Sequence, residues 1–393
     1  MVAGRLYGSA CTVTLLWVAA QALDDAAFGR FAFWIAAFLV LDAAVDLGIG
    51  QVAVQRTAAD PSSVGPIVRA ARRVRLTTGL IGAALVTLYV FSAGEPDAAW
   101  IAAASLYPVT HALEVSTLAW RNAIRWRGPV LIRAAAVTTS LCLVLFAHAR
   151  GLDGAGPYLA SIALGSSLGN VALHVFGKRH LPPGPHRTAA LRPFLRAALP
   201  MGVAGFAQQA YFHVDNVFVR AFRGDEAVGH YNVGVRVMSL AISGAVLASS
   251  AALPWLTRAH ATGELRAAAL RLVVPIGGMG LGLAALVWPL RGPLLGAFGP
   301  EFRQAEGALG WLCGALLLVH VGAPLLTAVV ATGRMARVAV IAATALGVNL
   351  ALNAWWVPRY GMDGAAAATV ATEGCVALGA LLSLPKGQQR RAA

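Results

Sequence analysis

Charge is scarce in this sequence. Of its 393 residues 12% are charged and 58% hydrophobic, with a mean hydropathy of +0.68. Soluble domains carry about 25% charged residues, so this composition excludes a water-soluble domain and calls for lipid as the solvent. Acids are scarcer than bases, 17 against 31, which leaves a formal net charge of +14. Such an excess could serve a nucleic acid, but the basic residues fall in short runs between apolar segments, where membrane proteins keep them. No nucleic-acid partner is expected. Cysteine is limited to Cys11, Cys142, Cys313 and Cys375, all inside apolar runs and without paired spacing. That argues against a disulfide framework or a zinc site and for buried small hydrophobes.

What the sequence does contain is apolar runs of one length. A bilayer core of about 30 Å needs roughly 20 helical residues. Runs of that size occur at 4–24, 31–50, 76–93, 98–119, 129–148, 157–177, 196–219, 231–254, 267–290, 308–330, 338–357 and 364–384. These predict an all-α integral membrane protein with twelve transmembrane helices, and their length excludes a barrel of short alternating strands. The first run, with Arg5 ahead of it and Ala20-Gln21-Ala22 behind it, mimics a cleaved signal peptide. More spans follow at once, so it is expected to be a retained helix.

Arginine and lysine set the orientation. With the N-terminus cytoplasmic, only Arg30, Arg150, Arg220, Arg223, Arg291, Arg303 and Arg359 fall in outer connections. Arg236 lies within a run, and the remaining basic residues fall in inner segments, among them Arg69, Arg72, Arg73, Arg75, Arg121, Arg125, Lys178, Arg179 and Arg187. The positive-inside rule then predicts both termini in the cytoplasm. Acids show the opposite bias, and Trp100, Trp288, Trp311, Trp355 and Trp356 near outer ends face Trp120, Trp126 and Trp255 near inner ones, as interfacial belts do.

No connection is long. The largest, 178–195, holds Pro182, Pro183, Pro185 and Pro193 among basic residues and reads as a cytoplasmic linker between an N-terminal six-helix lobe, 1–177, and a C-terminal one, 196–393. The halves rhyme at an offset of about 200 residues, with Asp24-Asp25-Ala26-Ala27-Phe28-Gly29-Arg30-Phe31 opposite Gly224-Asp225-Glu226-Ala227-Val228-Gly229-His230-Tyr231. Six helices is an even number, so the expected relation is a pseudo-two-fold along the membrane normal, with a site between the lobes near the midplane.

These octets, with Asp46-Leu47-Gly48-Ile49-Gly50, Asp215, Phe298-Gly299-Pro300-Glu301-Phe302, Asn349-Leu350-Ala351-Leu352-Asn353 and Val357-Pro358-Arg359-Tyr360-Gly361-Met362-Asp363-Gly364-Ala365-Ala366, resemble the polysaccharide or O-antigen flippase family of the multidrug/oligosaccharidyl-lipid/polysaccharide (MOP) exporter superfamily. The order and spacing of the pieces across nearly the whole chain carry the likeness. It implies two six-helix bundles around a central cavity and alternating access in the cytoplasmic membrane of a bacterium. It also implies a polyprenyl-pyrophosphate-linked oligosaccharide as substrate, with membrane lipid, a polysaccharide polymerase and glycosyltransferases as neighbours. Compared with the family, the N-terminus is short, and the extra C-terminal helix pair of the lipid II flippases is missing.

An anionic headgroup calls for fixed cations, and a guanidinium suits phosphate because its fork donates paired hydrogen bonds and stays charged. Arg236, about 10 Å into the eighth run, is the first candidate, and Arg133, one turn into the fifth, the second. The alternatives are an ion pair of Arg236 with Asp215 and snorkelling of Arg133 to inner headgroups. Gln208, Asn216, Asn232, Asn349 and Asn353 could bind sugar hydroxyls or, as readily, bond helix to helix. Asp42 and Asp46, one turn apart on the second run, should repel, so that one holds a proton in a low-dielectric place. With Glu114 and Glu373 they form a candidate set for proton or sodium coupling. The bland alternatives are Asp46 paired with a loop arginine such as Arg73 and Glu373 as a buried, hydrogen-bonded acid. His111, His174, His213 and His320 lie within runs without metal-ligand spacing and are expected to be satisfied core histidines.

No cofactor is expected beyond a coupling ion. Two other functions stay open: a cation antiporter of the multidrug type, which a free Arg236 disfavours, and a membrane glycosyltransferase or polysaccharide polymerase, which the short outer connections disfavour.

Overall fold

The computed structural model describes residues 2–118, 120, 127–181 and 191–385, and every regular element among them is helical. The stretch 182–190 of the expected linker, and Arg121, Arg125, Trp126, Arg187, Lys386, Arg390 and Arg391 of the orientation argument, lie outside the described residues. The chain forms two compact units, Met1–Phe206 and Ala207–Ala393.

The first unit begins with α1 (Val2–Ala22), α2 (Asp25–Asp46), α3 (Ile49–Ala59) and α4 (Val64–Ser92). Asp24 caps α2: it is extended, and its carboxylate accepts the amide of Ala27 at 2.6 Å, satisfying one of the free donors of the first turn. The helix stops at Leu47 and Gly48, both left-handed (φ 50° and 72°). Here the glycine is a packing requirement as well. A Cβ on Gly48 would lie 2.3 Å from the amide nitrogen of Gly202, and one on Gly202 would lie 2.5 Å from the carbonyl carbon of Leu47. The Asp46-Leu47-Gly48 corner is thus pressed backbone to backbone against α9 (Leu191–His213), whose first two-thirds belong to this unit. Ile49, Val52 and Ala53 of α3, Val64 and Val68 of α4 and Phe194 and Ala198 of α9 bury one another around it.

The fourth run does not form one continuous α-helix. It consists of α5 (Ala98–Ala104), α6 (Tyr107–His111) and a 3-10 segment, Ala112–Thr117. Pro108 has no amide to donate, so the ladder between α5 and α6 cannot run through it. The unit is completed by α7 (Arg127–Ala149) and α8 (Ala155–Gly177).

The second unit holds the end of α9, then α10 (Asp215–Ala251), α11 (Leu253–Ala261), α12 (Leu265–Gly296), α13 (Glu306–Ala331) and α14 (Met335–Ser383). Two of these are interrupted. Gly224 (φ 86°, ψ 177°) breaks α10 at the start of the second octet, and Gly361 (φ 57°, ψ −132°) breaks the 49 residues of α14, in a conformation closed to residues with a Cβ. The core gathers Leu256 of α11, Leu265 and Ala269 of α12, Leu325 and Val329 of α13, and Ala345 and Ala380 of α14. His320 of α13 is packed so tightly that a Cβ on Gly280 of α12 would lie 2.5 Å from its own Cβ, whereas Gly278 and Gly282 meet nothing within 4 Å.

Among the described residues, eight helical stretches have the length and composition to cross a membrane. The difference from the runs counted in the sequence has identifiable sources. The stretch Arg192–Ala251 takes in the seventh and eighth runs, and Met335–Ser383 the last two. Neither α1 nor the broken α5–α6 segment is among the eight.

Candidate functional site

The ionisable residues singled out in the first unit meet in one cluster. Asp42 and Asp46 project from α2, Arg75 from α4, His111 from α6, Glu114 from the 3-10 segment and Arg133 from α7. His111 Nδ1 lies 2.6 Å from Asp42 Oδ1, and its Nε2 faces Glu114 Oε2. Arg133 Nη2 is 2.5 Å from Glu114 Oε1, and Arg75 Nε is 3.2 Å from Asp46 Oδ1. The ring of Tyr107 stacks on His111 with centroids 5.5 Å apart.

Three expectations change accordingly. Asp42 and Asp46 do not share a proton between themselves, because each faces a separate partner supplied by another helix, His111 for Asp42 and Arg75 for Asp46. The partner of Asp46 is Arg75 and not Arg73, since Arg75 is on the buried side of α4 whereas Arg73 is exposed. His111 is no isolated core histidine: it joins two carboxylates.

In the second unit the polar residues form a seam along α9, α10 and α14. Asp215 is buried at the first turn of α10. Its Oδ2 accepts the Tyr231 hydroxyl at 2.6 Å, and its Oδ1 accepts the Asn216 amide at 2.9 Å. Thr369 of α14 lies beside Tyr231. Asn232 Nδ2 donates to Asn216 Oδ1 and to the Val228 carbonyl, the latter at 2.8 Å. Asn349 donates to Thr372 at 3.1 Å, and Asn353 to Asn349 Oδ1 at 3.0 Å, both fully buried in α14. Glu373, also buried, lies beside Tyr211 of α9. Gln208 is exposed on α9.

Arg236 stands apart. It is half-buried in the second part of α10, and among the described residues it makes neither an ion pair nor a hydrogen bond. The expected alternative, a pair with Asp215, does not form, since Asp215 is satisfied within its own helix. Arg236 lies near enough to His213 to act on it electrostatically, and the buried Nδ1 of His213 has no hydrogen-bond partner among the described residues. An uncompensated guanidinium beside a polar imidazole can receive an anion.

Sequence reasoning read His111 as a core histidine and gave Arg75, Tyr211 and Tyr231 no part in a site. For His111 a signal existed in the three-residue spacing to Glu114, which puts both on one helix face. Tyrosines that meet a buried acid sixteen or more positions away leave no mark in one sequence.

The family model described as "Polysaccharide biosynthesis protein" matches residues 11–260, and a second, MatE, matches residues 200–355. No curated protein sequence matches the chain. Solved structures match over almost its full length. An inward-facing multidrug resistance MATE family transporter of the MOP superfamily is 14% identical over 97% of this chain and 93% of that one, with a TM-score of 0.74. The lipid II flippase MurJ in an inward closed conformation is 13% identical over 96% and 87%, with a TM-score of 0.71. A MOP superfamily transporter from Pyrococcus furiosus, noted for the reverse polarity of its binding pocket, is 14% identical over 97% and 92%, with a TM-score of 0.67. At these identities the likeness is one of fold, that of a MATE-like transporter.

Proposed function

This chain belongs to the polysaccharide biosynthesis protein family of the MOP superfamily, and from that premise we propose that it is a flippase moving a polyprenyl-pyrophosphate-linked oligosaccharide across the cytoplasmic membrane by alternating access. The proposed arrangement has twelve spans in two six-helix bundles related by a pseudo-two-fold along the membrane normal, with both termini in the cytoplasm. Its neighbours in the pathway are glycosyltransferases that build the lipid-linked unit and a polymerase that consumes it.

The observation that carries this reading is Arg236. A half-buried cation without an acid has a desolvation cost that an anionic ligand offsets, and a pyrophosphate offers the guanidinium fork several acceptors. Arg236 is therefore the proposed headgroup anchor, with Gln208, Asn216 and Asn232 proposed to serve the sugar. Asp215, Asn349 and Asn353 support that seam, their polar groups being engaged with one another and with Tyr231 and Thr372. Arg133 is tied to Glu114 and acts with the acids of the first unit, where Asp42, Asp46 and Glu114 are the proposed ion-coupling set, Glu373 being their counterpart in the second.

The multidrug reading keeps some weight because the MatE match and the multidrug transporter structures cover the same chain. An uncompensated Arg236 opposes it, since organic cations avoid a positive site. The deciding experiment follows labelled lipid-linked repeat units in cells lacking the protein. They should accumulate in the inner leaflet, and undiminished surface polysaccharide in those cells would sink the flippase reading.

A further inference from the structure

We propose that the cluster joining Asp42, His111 and Glu114 in the first unit is a proton site, with His111 as the group that takes up and releases the proton. The proposal rests on the transport reading and deepens it by naming the coupling ion and its carrier.

Among the described residues the ionisable groups that face His111 are these: Asp42 and Asp46 from α2, Arg75 from α4, Tyr107 from α6 itself, Glu114 from the 3-10 segment and Arg133 from α7. From α8 come Ser167 and Asn170, both bonded to Thr110, and, farther along, His174, bonded to Ser116 of the 3-10 segment. The three carboxylates face two guanidiniums, and an imidazolium is the charge that brings this inventory to zero. The ring geometry suits the same species. Each nitrogen of His111 faces a carboxylate oxygen, Arg75 Nη2 shares the Nδ1 side at 3.2 Å, and a neutral imidazole has only one N–H to offer the two acids. With that single proton, one of the two carboxylates confronts a bare lone pair.

The exchange needs no co-reactant. Water delivers a proton to one ring nitrogen and later receives it back, with no other bond made or broken. Access is available, because the side chains of His111, Asp42 and Glu114 are 17%, 21% and 24% exposed, wet enough to exchange and dry enough for the charge to matter. Sodium fits this place less well. It would have to settle among two guanidiniums and an imidazole on carboxylates that already have cationic neighbours.

The consequence is mechanical. A doubly protonated ring holds α2 and the 3-10 segment together through α6, and Glu114 extends the connection to α7 through Arg133. Losing one proton turns one of those attractions into a repulsion. Proton release therefore loosens the packing of α2 or of the 3-10 segment with α7, which is how an ion gradient could bias a rocking transporter.

The test uses the full-length protein, labelled with 15N-histidine and reconstituted in phosphatidylethanolamine–phosphatidylglycerol vesicles, with the His111 signals assigned by their loss in His111→Gln. Two protonated ring nitrogens are expected near neutral pH, one of them lost as the pH rises. Asp42→Asn, which removes one anionic acceptor, should shift that loss to lower pH by about one unit, a tenfold change in proton affinity. One bare nitrogen throughout the accessible pH range, or no shift in Asp42→Asn, overturns the proposal. Should His111→Gln fail to fold, Asp42→Asn still yields the assignment by perturbation. These signals do not depend on a substrate, so they stand or fall separately from the flippase reading. In vesicles carrying a polyprenyl-pyrophosphate-linked N-acetylhexosamine as probe, the ratio of flipping rates with and without a pH gradient should exceed one and fall to one in His111→Gln. An unchanged ratio in that variant would also overturn it.

Discussion

The hydroxyl of Tyr231 lies 2.6 Å from Asp215 Oδ2, joining the two parts of α10 across the break at Gly224. The acid is therefore a clamp on the bend and is not the counter-ion of Arg236. Tyr231→Phe removes the donor from a buried carboxyl and should lower stability by roughly 1–3 kcal/mol. Asp215→Asn retains an acceptor for Tyr231 and should cost less. Thermal unfolding of the purified variants in one detergent ranks them, and an unperturbed Tyr231→Phe would deny the clamp.

Arg236 yields the sharpest functional prediction. Charge-assisted hydrogen bonds contribute about 1.5–3 kcal/mol each, so Arg236→Ala should weaken substrate engagement roughly 10- to 100-fold while the protein still reaches the membrane. Arg236→Lys keeps the charge without the fork and should fall between. Because no pair with Asp215 exists to be rebalanced, adding Asp215→Ala should not restore export. Surface polysaccharide at matched membrane levels is the readout, and rescue by the double substitution would show that Arg236 is a structural partner of Asp215 after all.

Gly48 and Gly202 test how much the corner after α2 depends on close approach. A Cβ on Gly202 would fall on the backbone of Leu47, which has no side-chain end that can swing away. Overpacking of this kind costs about 1–3 kcal/mol, and at Gly48 the left-handed backbone adds about 1 kcal/mol more. Gly48→Ala and Gly202→Ala should both reduce the yield of monodisperse protein on size-exclusion chromatography, Gly48→Ala the more. By contrast, Gly205→Ala on the same helix meets nothing within 4 Å and should be neutral.

What the sequence made legible was everything that depends on local composition. Helix-length apolar runs gave the all-helical membrane fold, and the breaks at Gly224 and Gly361 fall in the gaps between runs, whereas the corner at Leu47 and Gly48 falls inside a run expected to continue to residue 50. The broken fourth run was less visible, although Pro108 stood in it, because a proline near one helix end does not by itself say whether the ladder resumes. Pairings across helices were hidden for a stronger reason. Asp42 and His111 are 69 positions apart, and nothing in a single sequence says that α2 and α6 turn those faces toward each other. Asp215 and Arg236 looked like partners since they are opposite charges on adjoining runs. Tyr231 decided the matter, as a neutral donor that charge-based reading ignores.

Arg133 and Glu114 pose the last test, because their contact could be strong or nearly idle. The carboxylate is 24% exposed, but the arginine is 53% exposed, so solvent screens much of a bond that measures 2.5 Å. A double-mutant cycle through Arg133→Ala, Glu114→Gln and both together should therefore give a coupling energy of about 1 kcal/mol or less. Glu114→Gln alone should cost more than Arg133→Ala alone, since Glu114 also meets His111, whereas the arginine head can turn to water. Denaturant titration of the four proteins in mixed micelles gives the numbers, and raising the salt concentration should shrink the coupling further. A coupling of several kcal/mol, insensitive to salt, would instead mean that the membrane seals this pair from water and that Arg133 is as much a fixed part of the cluster as His111.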